Sequence, residues 1–134
     1  MPARTVIVLD DRACAEAAAS ALQVIGIEAA YIHDPMAALD ALDGAQRIEV
    51  LATSIDHGRG KPNGIALALM ARMKRPGIKV VFVGQADMAH HTTGLGAFLV
   101  SPVPATEVVD AVVRMLAEGY GPPADPQPDA TARN

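Results

Sequence analysis

Short runs of consecutive apolar residues alternate along this chain with stretches whose apolar positions recur every three or four residues. "TVIVLDD" from Thr5 is rich in β-branched residues and ends in acids, the pattern of a buried strand. "RACAEAAASALQVIG" follows; its alanines favour helix, Cys14, Ala18, Ala21, Leu22 and Ile25 would share one face, and Gly26 supplies a stop. "IEAAYI" predicts a second strand. Asp34 and Pro35 then open a helix as N-cap and first residue, and "MAALDAL" continues it to Gly44. "IEVLATS" predicts a third strand, "NGIALALMARMK" a helix ending before Pro76, and "IKVVFV" a fourth strand. "ADMAHHTTG" is a short, poor helix and "AFLV" a short fifth strand. In "ATEVVDAVVRMLAE", Val108, Val109, Val112, Met115 and Leu116 form an inner face, and Asp110, Arg114 and Glu118 an outer row.

Strands without polar alternation are buried on both sides, so the pattern predicts a parallel sheet with helices on each face. In such sheets the functional site lies beyond the carboxyl ends of the strands. Those ends hold Asp10 and Asp11, Ser54 to His57, Gly84 and Gln85, and Ser101 and Pro102.

Composition narrows the classes. The 134 residues are 51% hydrophobic and 19% charged, enough apolar material for one compact unit. That unit is placed at residues 1–118. From Gly119 to Asn134 four prolines and a scarcity of apolar residues read as a flexible tail. The net charge of −4, with no basic stripe, argues against nucleic acid as the main partner. A single cysteine, Cys14, excludes an internal disulfide and points to a reducing, cytoplasmic setting; no signal peptide or membrane span is expected.

The candidate chemistry sits at the predicted rim. Asp10 and Asp11 are adjacent carboxylates whose mutual repulsion a hard divalent cation would relieve. As a plain alternative, Asp11 caps the next helix. "GRGKPNG" fails as a phosphate loop because Pro62 follows the lysine where Ser or Thr is needed. His57 and the His90-His91 pair read as loop residues, and Cys14 as a small core residue.

The order of elements, "VLDD" after the first strand, "NG" opening the third helix and "SP" after the fifth strand resemble a CheY-like response-regulator receiver domain. The resemblance implies a flavodoxin-like three-layer α/β/α sandwich with a five-stranded parallel sheet of order 2-1-3-4-5. It implies that Asp10 and Asp11 are the acidic pair of a Mg²⁺ site, joined weakly by Asp56, with no cofactor required. It also identifies switch positions. Pro102 and Phe98 match the family pattern; Gly84 stands in place of Ser or Thr, and Ser101 in place of Lys.

The phosphoacceptor position is ambiguous. Counting forward through "EVLATS" gives Ser54; counting back from "NG" gives Asp56, or Ile55 in members with one extra residue. Strand lengths vary less than loop lengths, which favours Ser54. Residues i and i+2 of a strand face one side, so Asp56 would share the direction of Ser54 if the strand ran on. Arg59 or Lys61 are the cations that could fold back toward the rim.

A degenerate receiver is therefore expected: not an enzyme, but a stand-alone signalling module of a two-component phosphorelay system, of the kind found in bacteria. It would act by phosphate-independent contact with a histidine kinase or another signalling protein, through Asp87 to Thr93, Phe98 and the outer row of the last helix, with a homodimer as an option. An active single-domain response regulator phosphorylated on Asp56 is the alternative. A small flavodoxin-like enzyme or nucleotide binder is the alternative from another class, disfavoured by the missing phosphate loop and by aromatic residues at only 3%.

Overall fold

The computed structural model describes residues 4–44, 47–58 and 60–118. Five strands, β1 (Arg4–Val8), β2 (Glu28–Tyr31), β3 (Val50–Ser54), β4 (Lys79–Gly84) and β5 (Ala97–Val100), form one sheet. All pairings are parallel and the order is β2-β1-β3-β4-β5, the flavodoxin-like order. Four α-helices connect them: α1 (Arg12–Val24), α2 (Pro35–Leu42), α3 (Gly64–Lys74) and α4 (Ala105–Ala117). Between β4 and β5 the chain forms a 3₁₀ segment, Ala86–Thr92. Four α-helices and this segment thus replace the five helices of the sequence pattern. The weak stretch "ADMAHHTTG" does not sustain an α-helix. The tail from Gly119 lies outside the described residues.

Two apolar layers hold the helices to the sheet. Val6, Val8, Leu51, Val80 and Phe82 face α2 and α3 through Leu39, Leu42, Leu67 and Ala71. Ile7, Val50, Ala52 and Val81 face α1 and α4 through Ala15, Ala18, Leu22, Val108 and Val112. Every residue of β3 is buried, as expected of a central parallel strand.

The helix ends follow local chemistry. Asp11, Asp34 and Asn63 each cap a helix with a side-chain oxygen that accepts from Cys14 N (3.1 Å), Met36 N (3.2 Å) and Ala66 N (2.8 Å). Gly26 has φ +87°, so the turn after α1 needs a residue without a Cβ. Gly64 is demanded by packing: a Cβ there would lie 2.1 Å from the Ser54 carbonyl oxygen.

Two faces are corrected. In α1 the inward residues are Ala15, Ala18, Ala19 and Leu22; Ala21 and Ile25 are exposed and Cys14 is only partly covered. The run of alanines carries little directional signal, which hid the rotation. In α4 the inner face is Val108, Ala111 and Val112, with Val109, Met115 and Leu116 on its partly buried flanks. Among the described residues no helix is long and apolar enough to cross a membrane.

Candidate functional site

The carboxyl ends of β1, β3 and β4 converge on one rim. Ser54 is the last residue of β3 and is 3% exposed. Its hydroxyl donates to Asp10 Oδ1 (2.9 Å) and its Oγ accepts from Asp10 N (2.9 Å). This reciprocal pair closes the gap between the ends of β1 and β3. Each half resembles an ordinary hydrogen bond, worth about 1 kcal/mol net. Asp10 itself is exposed. Asp11 is exposed, and its Oδ1 is the helix cap.

Asp56 does not continue β3. The strand stops at Ser54, Ile55 turns inward to 5% exposure, and Asp56 emerges on the surface. Its Oδ1 accepts from Gly58 N (2.9 Å), a turn of the kind aspartate forms with the amide two residues on. Asp56 nonetheless lines the same cleft as Asp10 and Ser54. That cleft, about 400 Å³, is completed by Ile55, Asn63, Val83, Gly84, Gln85, Asp87, Met88 and Ser101. Among the described residues three carboxylates and no lysine or arginine line it.

Gly84 ends β4. A Cβ on Gly84 would lie 3.0 Å from Ile55 Cδ1 and 3.4 Å from Ile55 Cβ. The isoleucine thus covers the place a side chain on residue 84 would begin to fill. Ser101 N donates to Gly84 O (2.8 Å), and the Ser101–Pro102 peptide is cis. Phe98 pairs in register with Phe82 and packs partly buried against the α2–α3 layer. The His90 and His91 rings are exposed and lie 3.9 Å apart between centroids.

His57 is better held than a loop residue. Thr53 Oγ1 donates to Ser54 O (2.9 Å) and lies 2.9 Å from His57 Nε2. Burial pushes the His57 pKa below the usual value; Asp10 and Asp56 oppose that shift and Lys61 and His33 reinforce it. This imidazole is engaged with Thr53, so it is not placed as a base for Ser54. Lys61 does not reach the rim either: Nζ lies 3.3 Å from Asp34 Oδ1. Arg59 lies outside the described residues. Cys14 Sγ donates to Val103 O (3.4 Å), and burial, then Asp11 and Asp10, raise its pKa, so the thiol stays protonated.

Mg²⁺ takes one or two carboxylates and keeps several waters, so Asp10 and Asp11 would be the residues to hold it. Asp10, Asp11 and Asp56 each commit an oxygen to a different protein donor, and among the described residues no group of three or more His, Cys, Asp or Glu comes together to hold a metal. A second cavity, about 320 Å³, lies at the amino ends of β1 and β2 and is lined by Thr5, Gln23, Glu28 and Ile48 among others.

Two features had no signal in the sequence: Ile55 over Gly84, and Thr53 with His57. Both depend on where β3 stops and turns.

No family model matches the chain, and no curated protein does. Solved structures do. A response-regulator receiver domain of the CheY-like kind from Methanospirillum hungatei superposes with a TM-score of 0.74 at 20% identity, covering 88% of this chain and 96% of that one. A response-regulator receiver protein from Sinorhizobium medicae gives 0.73 at 20%, covering 87% and 95%. The receiver domain of the hybrid histidine kinase CckA gives 0.68 at 24%, covering 84% and 98%. The chain therefore has the fold of CheY-like receiver domains.

Proposed function

We propose that this chain is a receiver-fold signalling module that acts by binding a protein partner without taking up phosphate. A histidine kinase or another signalling protein is the class of partner the fold suggests. The observation that carries the reading is the reciprocal Ser54–Asp10 pair: a hydroxyl, not a carboxylate, faces the acidic residue at the end of β1. A serine attacks phosphorus poorly without an adjacent base, and the imidazole next door is bound to Thr53. Phosphoryl transfer also needs positive charge at the transferred group, and among the described residues the charged groups lining the cleft are all acidic. Losing one such electrostatic group costs about 3 kcal/mol of transition-state stabilisation.

Asp56 is the competing reading, since an exposed carboxylate on the rim of the same cleft is a chemically competent acceptor. Incubation with acetyl phosphate and Mg²⁺, read by intact mass, decides between them. The proposal expects an unchanged mass. Gain of one phosphoryl group that disappears in Asp56→Asn would make the chain an active response regulator instead.

A further inference from the structure

α3 differs from an ordinary surface helix. Gly64, Leu67, Ala68 and Ala71 face the sheet. At about 100° per residue, Ala66, Leu69 and Met70 fall within about 60° of Met73 on the opposite side. Leu69 is 49% and Met73 83% exposed, and Ala66 and Met70 are partly exposed. No charged or polar side chain interrupts this outward face between Gly64 and Met73; Arg72 and Lys74 lie on its two flanks. A helix apolar on both sides is expected where both sides are covered.

Charge says what would cover it. Residues 57–86 hold six of the eleven Lys and Arg residues and no Asp or Glu, within a chain of net charge −4. Arg72 binds the carbonyls of Ile78 and Leu95, and Arg75 those of Leu42 and Gly44. Carbonyls hold these guanidiniums in place without cancelling their charge. Lys74 is paired with Asp43 (2.7 Å), Lys61 with Asp34 (3.3 Å) and Lys79 with Glu118 (3.9 Å); the first two pairs are solvent-accessible and weak in water, and Arg59 lies outside the described residues.

Three other occupants fit worse. A second copy pairing α3 against α3 in antiparallel fashion would set the Arg72–Arg75 end of one copy against Lys61 of the other. A flat anionic membrane would have to cover α2 as well, with Asp34, Asp40 and Asp43, two of them exposed, whereas a single helix lying along α3 covers α3 alone. The segment 119–134 offers one large apolar side chain, Tyr120, and four prolines, too little to match an apolar helix face.

We infer that the Ala66–Leu69–Met70–Met73 face is a docking surface for an amphipathic helix of a partner protein, apolar on its contact side and acidic at its rim. Exposed methionines suit such a surface because they repack around a partner. The inference rests on the chain's being an interaction module and names the surface used.

The test uses the full chain with methyl-labelled methionine. The probes are two synthetic amphipathic peptides that share a leucine face, one with glutamate and one with lysine at the rim. Saturable shifts at Met70 and Met73 but not at Met115 are expected. The glutamate peptide should bind about tenfold tighter, the order of a few rim charge pairs, and more weakly as salt rises. Leu69→Glu combined with Met73→Glu, both exposed, should abolish the shifts while circular dichroism stays unchanged. Absence of shifts, no preference between the peptides, or shifts confined to Met88 and Met115 would overturn the inference. So would Met73 shifts on concentrating the free protein, which report self-association, or broadening with phosphatidylglycerol vesicles, which reports a membrane. Because the phosphodonor experiment reads a different site, either idea can fail while the other stands.

Discussion

The ends of β3 and β4 lie side by side and are finished in opposite ways. At β3 every polar group near the tip has a partner: Ser54 with Asp10, Thr53 with Ser54 O and His57, and Gly64 N with Ile55 O at 2.7 Å. At β4 the side chain is absent, and a neighbour's isoleucine covers Gly84. One strand end is bonded shut and the other is covered by packing. Neither leaves a side chain waiting for a ligand. The difference should appear in how costly each end is to disturb.

The largest effect is expected from Gly64→Ala. The new methyl would sit 2.1 Å from a backbone oxygen, which cannot step aside as a flexible side chain can. A loss of about 3 kcal/mol or more should register in urea unfolding. Next comes Ser54→Ala. It removes both bonds of the reciprocal pair and leaves Asp10 N without its partner, for a loss of about 2 kcal/mol in the same assay.

Acid should act on the β3 end more mildly. The folded state holds His57 neutral and lowers its pKa below the unfolded value near 6.5. The unfolded chain therefore takes up the proton first. The stability that depends on the neutral ring is present above about pH 6.5 and is lost as pH falls through the folded pKa. His57→Gln should flatten that part of the stability–pH curve, measured by thermal unfolding between about pH 5 and 8. The smallest effect is expected from Gly84→Ser at the packed end. Its Cβ would meet the flexible tip of Ile55, so a change of about 1 kcal/mol or less should suffice, and Ile55→Val should reduce it further.

The same contrast explains what the sequence made legible. The β3 strand was readable because Val50, Leu51 and Ala52 form an apolar run at the centre of "EVLATS", and every residue of the strand is buried. Capping was readable at Asp34 and Asp11 because those side chains act within three residues of themselves. Strand order followed from the resemblance to receiver domains rather than from periodicity. The outward face of α3 has no readable orientation in the sequence: Leu67 is fully buried, while Leu69 and Met73 face solvent. A helix with apolar residues all round gives no periodic signal to orient it. The relation between Ser54 and Asp56 was also beyond sequence counting. Strand parity would point both the same way, but it ceases to apply where β3 ends and Ile55 turns in.

One amide reports most directly on the rim. Asp10 N–H belongs to an exposed residue, yet it donates to Ser54 Oγ. By nuclear magnetic resonance it should exchange with solvent slowly, lose that protection in Ser54→Ala, and keep its position when acetyl phosphate is added in the presence of Mg²⁺. An Asp10 amide that exchanges as fast as a free loop, or shifts saturably with the phosphodonor, would contradict the account.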